Sequence, residues 1–278
     1  MTTALTLATW NVNSLRARWH RFVPWLNQHT PDVVCLQEIK VETALFPMLE
    51  INQLGYHALC VGQKTYNGVA LLVRHEHGQP TLIADRLGTE ASGEARFVHA
   101  FLPQLSLSVA SVYVPNGDVV TSPKFDFKQR WLDAFLLHAD RENLSGSNTI
   151  VAGDFNIAPD DRDVYDPAGW QESVICHTAV RDRWGSVLEL GFVDALREKT
   201  QEGGLYTYWD YRDLGFPKNH GLRIDHALVS TALRGRIESA WVDRDMRKGE
   251  KPSDHVPFFI KLAPSMPSAN KKSTQDMA

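Results

Sequence analysis

Five times along this chain of 278 residues, an apolar run of strand length adjoins a carboxylate or carboxamide: Asn11 and Asn13, Glu38, Asp154 and Asn156, Asp225, and Asp254 with His255. Side chains two apart on a strand share a face and lie about 6.6 Å apart, so each Asn/Asp pair can reach one cavity from one strand end. A single Asx residue after a strand is a turn former. Five such ends together ask for a fold that gathers several strand ends in one place.

The spacing of apolar residues supplies the strands. Leu5 to Trp10 alternates apolar with small or polar residues and runs into Asn11–Ser14, with Ser14 placed to cap a helix. An amphipathic segment from about Arg16 to Gln28 follows, interrupted by Pro24, and then a parallel-type strand from Asp32 to Glu38. That succession is a βαβ-like opening. Short β runs are expected at Val69–Val73, Arg96–Leu102 and Leu105–Val114. Phe127, Trp131 and Phe135 fall at i, i+4 and i+8, the stripe of a helix. A strand at Thr149–Ala152, a long polar loop, a helix near Thr178–Leu190 and strands at Ile224–Val229, Ile237–Val242 and Val256–Leu262 complete the pattern. No internal repeat stands out. The absence of a linker predicts one α/β domain over residues 1–263, with 264–278 a disordered tail poor in apolar residues.

Composition excludes more than it assigns. The chain is 43% hydrophobic and 22% charged, as soluble domains are, with no apolar run near the ~20 residues that span a bilayer. No basic-then-apolar leader opens it, so a cytoplasmic monomer is the default expectation. Cys35, Cys60 and Cys176 are scattered without CxxC spacing and read as core thiols. A net charge of −4 bears on solubility, while a nucleic-acid partner needs only a local basic face.

The side-chain types at the strand ends fit one task. Glu38, Asp154 and Asp254 are hard oxygen ligands suited to Mg²⁺ or Mn²⁺. Asn11 and Asn156 can hold a phosphate or a water without adding charge. A neighbouring carboxylate can keep His255 protonated to face a phosphate. No GxxxxGK[ST], GxGxxG or HExxH pattern anchors a nucleotide-fuelled, dinucleotide-dependent or zinc-protease reading.

Six blocks occur in order: Trp10-Asn-Val-Asn-Ser-Leu-Arg16, Leu36-Gln-Glu-Ile-Lys40, Tyr113-Val-Pro-Asn-Gly117, Gly153-Asp-Phe-Asn-Ile157, Gly221-Leu-Arg-Ile-Asp225 and Pro252-Ser-Asp-His255. From about Leu5 to Leu262 the chain resembles the exonuclease III branch of the endonuclease/exonuclease/phosphatase superfamily. The resemblance implies a four-layer α/β/β/α sandwich and an Mg²⁺-dependent DNA-repair nuclease, with Mn²⁺ as a substitute, acting on double-stranded DNA at abasic sites and 3′ ends. Carried over, Glu38 is the principal metal ligand, with Asn11 and Asp254 near the metal or its water shell. A second metal position would recruit Asp154, Asn156 and His255. Asp154 deprotonates the attacking water, Asn156 orients it, and His255, held by Asp225, contacts the phosphate. Tyr113 binds that phosphate or assists the leaving group, and Asn116 reaches the DNA backbone.

In Tyr206-Thr-Tyr-Trp-Asp-Tyr-Arg212, alternation sends two of the four aromatics inward. The resemblance places Tyr208, with Leu222 and Ile224, in an apolar pocket for a sugar lacking its base, and Trp209 is counted among the substrate-binding candidates. Arg212 and Arg223 are expected on the DNA backbone, with Lys218, His220, Arg16 and Arg18 nearby. Arg181, Arg183 and His57, His75, His77, His99 and His138 read as surface or core residues. Two other readings are a superfamily phosphatase or phospholipase, and an inactive binding module. The first predicts loss of the aromatic and Gly-Leu-Arg-Ile-Asp blocks, and the second loss of a key polar residue; all are present.

Overall fold

The structure, a computed structural model, describes residues 4–88 and 93–264. The expected tail, apart from residue 264, lies outside the described residues. In chain order the elements begin β1 (Leu5–Asn11), α1 (Leu15–His29), β2 (Val33–Gln37), α2 (Met48–Gln53), β3 (Tyr56–Val61), β4 (Val69–Arg74), β5 (Thr81–Ala84), β6 (Phe97–Leu102) and β7 (Leu107–Tyr113). They continue with α3 (Pro123–Arg141), β8 (Thr149–Asp154), α4 (Pro167–Trp170), α5 (Thr178–Glu189), β9 (Phe192–Asp194), β10 (Asp225–Ser230), α6 (Thr231–Arg234), β11 (Ile237–Val242) and β12 (Phe258–Leu262).

The strands form two six-stranded sheets, ordered β11-β12-β1-β2-β4-β3 and β5-β6-β7-β8-β10-β9. In each sheet only one neighbouring pair is parallel, β1 with β2 and β7 with β8. Advancing every strand of the second sheet by six places around the twelve strands of the described residues reproduces the first. The chain builds the same sheet twice, although no repeat is visible in its side chains.

Alternation along the strands separates the layers. Leu5, Leu7, Val33, Cys35, Leu107, Val109, Ile150 and Ala152 point between the sheets, into one shared core. Their neighbours Ala8, Trp10, Val34 and Leu36 face α1, where Phe22, Trp25 and Leu26 cover them. On the far side Ala110, Val112 and Val151 pack under Phe125, Trp131 and Phe135 of α3 and Val180 and Trp184 of α5. Helices therefore cover each sheet's outer face, giving the expected four layers.

Three local expectations are revised. Pro24 does not interrupt α1: it is exposed, on the side where a missing backbone donor is least costly, and Ser14 caps the helix by accepting from the Ala17 amide. Leu105 lies in a 3₁₀ turn over Pro103–Leu105, so its strand starts at Leu107. The runs at Ile224 and Val256 become strand only at Asp225 and Phe258, and the preceding residues are freed for loops.

His99 of β6 lies beneath α3, its Nδ1 3.3 Å from Nε2 of His138 and its Nε2 buried without a partner. Burial, aided by His138, pushes its pKa down to about 4 from an ordinary 6.5. Its contribution to stability is complete above about pH 6.5 and is lost as pH falls toward 4, because the unfolded chain takes up the proton first. Urea midpoints should drop across that window, with about 2–3 kcal/mol attributable to this group. His99→Leu should flatten that part of the curve, and an equally steep fall in the variant would place the loss elsewhere.

Candidate active site

The space between the sheets changes character along the strands. At one end the facing residues are Leu, Val and Ile; near the other they become Thr9, Gln37 and Ser111, all buried. Gln37 Nε2 donates to both Thr9 Oγ1 and Ser111 Oγ at 3.1 Å, so this polar layer satisfies itself. One step further the strands end on Asn11, Tyr113, Asp154 and Asp225. Both parallel pairs present their carboxyl ends here, and the Asn11 and Asp154 ends meet; Asn13 and Asn156 lie past their strands at φ 44° and 49°, so turns and not strand alternation place them.

Asn11 holds the two sheets' carboxylates together. Its Nδ2 donates to Glu38 Oε1 at 2.8 Å and to Asp154 Oδ2 at 2.9 Å. The Tyr113 hydroxyl also donates to Glu38 Oε1, at 2.9 Å. Lys40 Nζ lies 2.8 Å from Glu38 Oε2 and donates to Asn13 Oδ1, while Asn13 Nδ2 donates to Asp254 Oδ1 at 3.0 Å. Burial raises the Glu38 pKa, but Lys40 and the Asn11 amide outweigh it and leave the carboxyl below its usual value. Glu38 and Asn156 both have positive φ, 48° and 49°, a region that disfavours ordinary side chains. Asn156 is held there from several sides: its amide donates to Asp154 Oδ1, its Nδ2 to the Val114 carbonyl, and its Oδ1 accepts from Asn116.

Behind Asp154, His255 Nδ1 lies 2.8 Å from Asp225 Oδ2, and its Nε2 3.7 Å from Asp154 Oδ2. Burial works against charge on the imidazole, yet Asp225 and Asp154 together carry its pKa well above the usual range. Burial pushes the Asp154 carboxyl up, opposed by the His255 cation. The His255 backbone is fixed by Trp10 Nε1, which donates to its carbonyl, and by Ser253 Oγ, which accepts from its amide. Thr207 Oγ1 accepts from the amides of Ile224 and Asp225 and sets the start of β10. Ligand atoms of Asp154, Asp225 and His255 lie within 4.8 Å of one another, a grouping able to hold a metal ion. The surrounding donor set is mostly carboxylate oxygen, and no thiol lines the cleft. That chemistry suits a hard cation.

These groups open into a cleft of about 630 Å³. Tyr208, Leu222, Ile224, Val174 and Trp170 form its apolar side, while Asp118, Glu172 and Asp210 stand among its polar residues. Tyr208 is half-buried, packed 4.9 Å from the His255 ring, and its hydroxyl is bonded to Asp210. Asp210 also binds the exposed Arg212 guanidinium, at 2.6 Å. Tyr206 and Trp209 are the inward pair of the aromatic block, and Tyr211 is exposed.

Two expected substrate contacts are misplaced. Arg223 is only 1% exposed: its guanidinium makes a two-pronged bond to Asp163, at 2.7 and 3.0 Å, and a third to Asp194 at 2.8 Å. It is a buried structural cation that no DNA backbone can reach. Trp209 is fully buried against Tyr206 and Phe216, with Nε1 on Asn219 Oδ1, so it supports the loop behind the cleft and does not line it. Arg16, Lys218 and His220 are exposed; Arg18 is tied to Tyr211 and the Pro252 carbonyl. Arg181 and Arg183 pair with Asp161 and Asp133, as their bland reading expects. Sequence reasoning missed Lys40, Asp163 and Lys128. Lys128 had a signal, because it falls in the apolar stripe of α3 three residues after Phe125 and three before Trp131.

A fold of two helix-covered sheets, with carboxylates, amides and a charged histidine at the joint ends of their parallel strands, defines a class, and residues 8–255 match it: the chain belongs to the endonuclease/exonuclease/phosphatase family. It is 32% identical to the exodeoxyribonuclease III of Haemophilus influenzae, over 91% of this chain and 98% of that one. Among solved structures it is similar to the 3′ phosphatase NExo from Neisseria bound to a product DNA hairpin, with TM-score 0.88 and 36% identity over 93% and 99% of the two chains. It is also similar to an AP endonuclease from Archaeoglobus fulgidus, with TM-score 0.85 and 34% identity over 92% and 98%.

Arg223→Met should leave Asp163 and Asp194 buried and short of a cation, at about 3–5 kcal/mol in urea unfolding. Arg212→Ala should leave the unfolding midpoint unchanged. Equal midpoints for Arg223→Met and wild type would show that the buried network contributes nothing.

Proposed function

We propose that this protein is a DNA-repair nuclease that hydrolyses phosphodiesters at abasic sites and 3′ ends with Mg²⁺, for which Mn²⁺ can substitute. The observation that carries the reading is the junction of a carboxylate–amide–imidazole centre with an apolar recess in one cleft. Glu38 is the main candidate to hold the cation, with Asn11 and Asp254 beside it; a second position at Asp154, Asn156 and His255 is the alternative in which His255 gives up its proton. Bound there, a divalent ion would neutralise phosphate charge and lower the pKa of a coordinated water.

The chain's own groups divide the remaining work. Asp154, its basicity raised by burial, takes the proton of the attacking water, while the Asn156 carboxamide orients that water. The His255 cation, held by Asp225, faces the phosphate where negative charge develops. Tyr113 offers its hydroxyl to the phosphate or to the departing 3′ oxygen. Burial and the adjacent Glu38 and Asp154 carboxylates keep that phenol protonated. Asn116 and Arg212, both exposed at the rim, contact the sugar–phosphate backbone. Tyr208, Leu222 and Ile224 wall the recess, which accepts a sugar without its base and excludes an intact nucleotide.

The test uses one labelled duplex carrying an abasic analogue, a 3′-phosphate or a recessed 3′ end, with Mg²⁺ or with EDTA. Cleavage undiminished in EDTA would overturn the metal assignment. Tyr208→Ala should lower abasic cleavage while sparing most 3′-phosphatase activity, whereas Asp154→Asn abolishes both. A parallel loss of all activities in folded Tyr208→Ala would mean that the ring supports the centre without selecting the lesion.

The alkaline limb of the rate profile should report His255. Its cation persists well above pH 7 because Asp225 and Asp154 face it. Asp225→Asn removes one of these charges, lowers the histidine pKa and moves the alkaline limb to lower pH. An unmoved limb with normal turnover would uncouple the pair.

A further inference from the structure

Lys128 is fully buried in the middle of α3, yet none of its hydrogen bonds goes to a carboxylate. Its Nζ donates to three backbone carbonyls: Asn156 at 2.6 Å, Val174 at 2.7 Å and Asn116 at 3.1 Å. These belong to three loops: the one after β8, the one before α5 and the one after β7. All three residues line the cleft. The stem of the lysine fills the space under Gly117, where a Cβ would come within 3.3 Å of Lys128 Cδ. Gly117 has φ 103°, a backbone that strains any other residue, and its neighbours would have to give way to admit a Cβ.

Burying an ammonium group is costly unless each proton finds an acceptor. Here the acceptors come only from cleft loops and none from the sheet scaffold. Asn156 is in the left-handed region: its carbonyl turns inward to Lys128, its amide binds Asp154 Oδ1, and its carboxamide, at the cleft lining, is held between the Val114 carbonyl and Asn116. We infer that Lys128 is a positioning residue, stapling the Asn116, Asn156 and Val174 loops so that the Asn156 carboxamide and the recess wall keep their places relative to Asp154. The inference rests on the nuclease reading for its catalytic readout, and on the hydrogen bonds alone for its structural one.

Lys128→Met keeps the length of the stem and removes every donor; Lys128→Gln keeps two. Each is compared with wild type after a thermal melt has established folding at the assay temperature. With the 3′-phosphate duplex, kcat should fall about tenfold or more while KM stays within about threefold, since a small displacement of catalytic groups costs turnover before binding. Independently of activity, backbone hydrogen exchange should accelerate in residues 114–118, 155–158 and 173–176 and stay unchanged in the strands. A folded variant with wild-type kcat and unchanged loop exchange overturns the proposal. Unfolding of both variants also overturns it, assigning Lys128 to the stability of the fold. Failure of the nuclease reading looks different: wild type is itself inert on every duplex, and the exchange pattern alone then decides the staple.

Discussion

Two carboxylates from different sheets share one amide group. Glu38 and Asp154 both accept from Asn11 Nδ2, and everything else at the centre is arranged around the need to keep them close. Like charges at that separation repel, and burial raises the cost. The structure answers with neutral donors from Asn11 and Tyr113, with Lys40 on the outer oxygen of Glu38, and with the His255 cation beside Asp154. The packing of the two sheets brings these groups together: their inner faces are apolar at one end, hydroxyl and amide in the middle, and charged where the parallel strands finish.

The same economy of charge runs through the rest of the molecule. Its net charge of −4 conceals several cations that are fully committed inside. Arg223 neutralises Asp163 and Asp194, and Arg197 adds a second contact to Asp163. Lys128 is saturated by carbonyls. At the cleft rim Arg212 is bound to Asp210 and Lys124 to Asp118, so a phosphate approaching there competes with a carboxylate already in place. Exposed pairs of this kind contribute little each and are screened by salt.

The strand ends were legible in the sequence because a period of two is a property of neighbouring residues: Asn11, Glu38, Asp154 and Asp225 could be placed at strand termini from local pattern alone. Pro24 misled because a proline inside a helical pattern reads as a break whichever face it occupies, whereas here it sits on the exposed face of a continuous helix. Arg223 misled for a deeper reason. Its partners lie 60 and 29 residues away, and an arginine beside a pocket motif looks the same whether it meets phosphate or buried aspartate. Within Tyr206–Tyr211 alternation gave the right number of buried rings, but Trp209 went inward with Tyr206, leaving Tyr208 alone to wall the cleft. The duplicated sheet was invisible because hydrogen-bond order carries it, and residue identity does not.

The first strand and the last are neighbours, β1 pairing antiparallel with β12, and Trp10 bonds the carbonyl of His255 across 245 residues of sequence. Synthesis runs from one to the other. In chain order Glu38, Asp154 and Asn156 all precede the strand that covers the open edge of β1, and the histidine arrives with that strand. A nascent chain on the ribosome therefore carries most of the centre's acids without the cation that completes it. The imidazole that faces those acids is brought to the centre by the same pairing, of β12 with β1, that closes the first sheet.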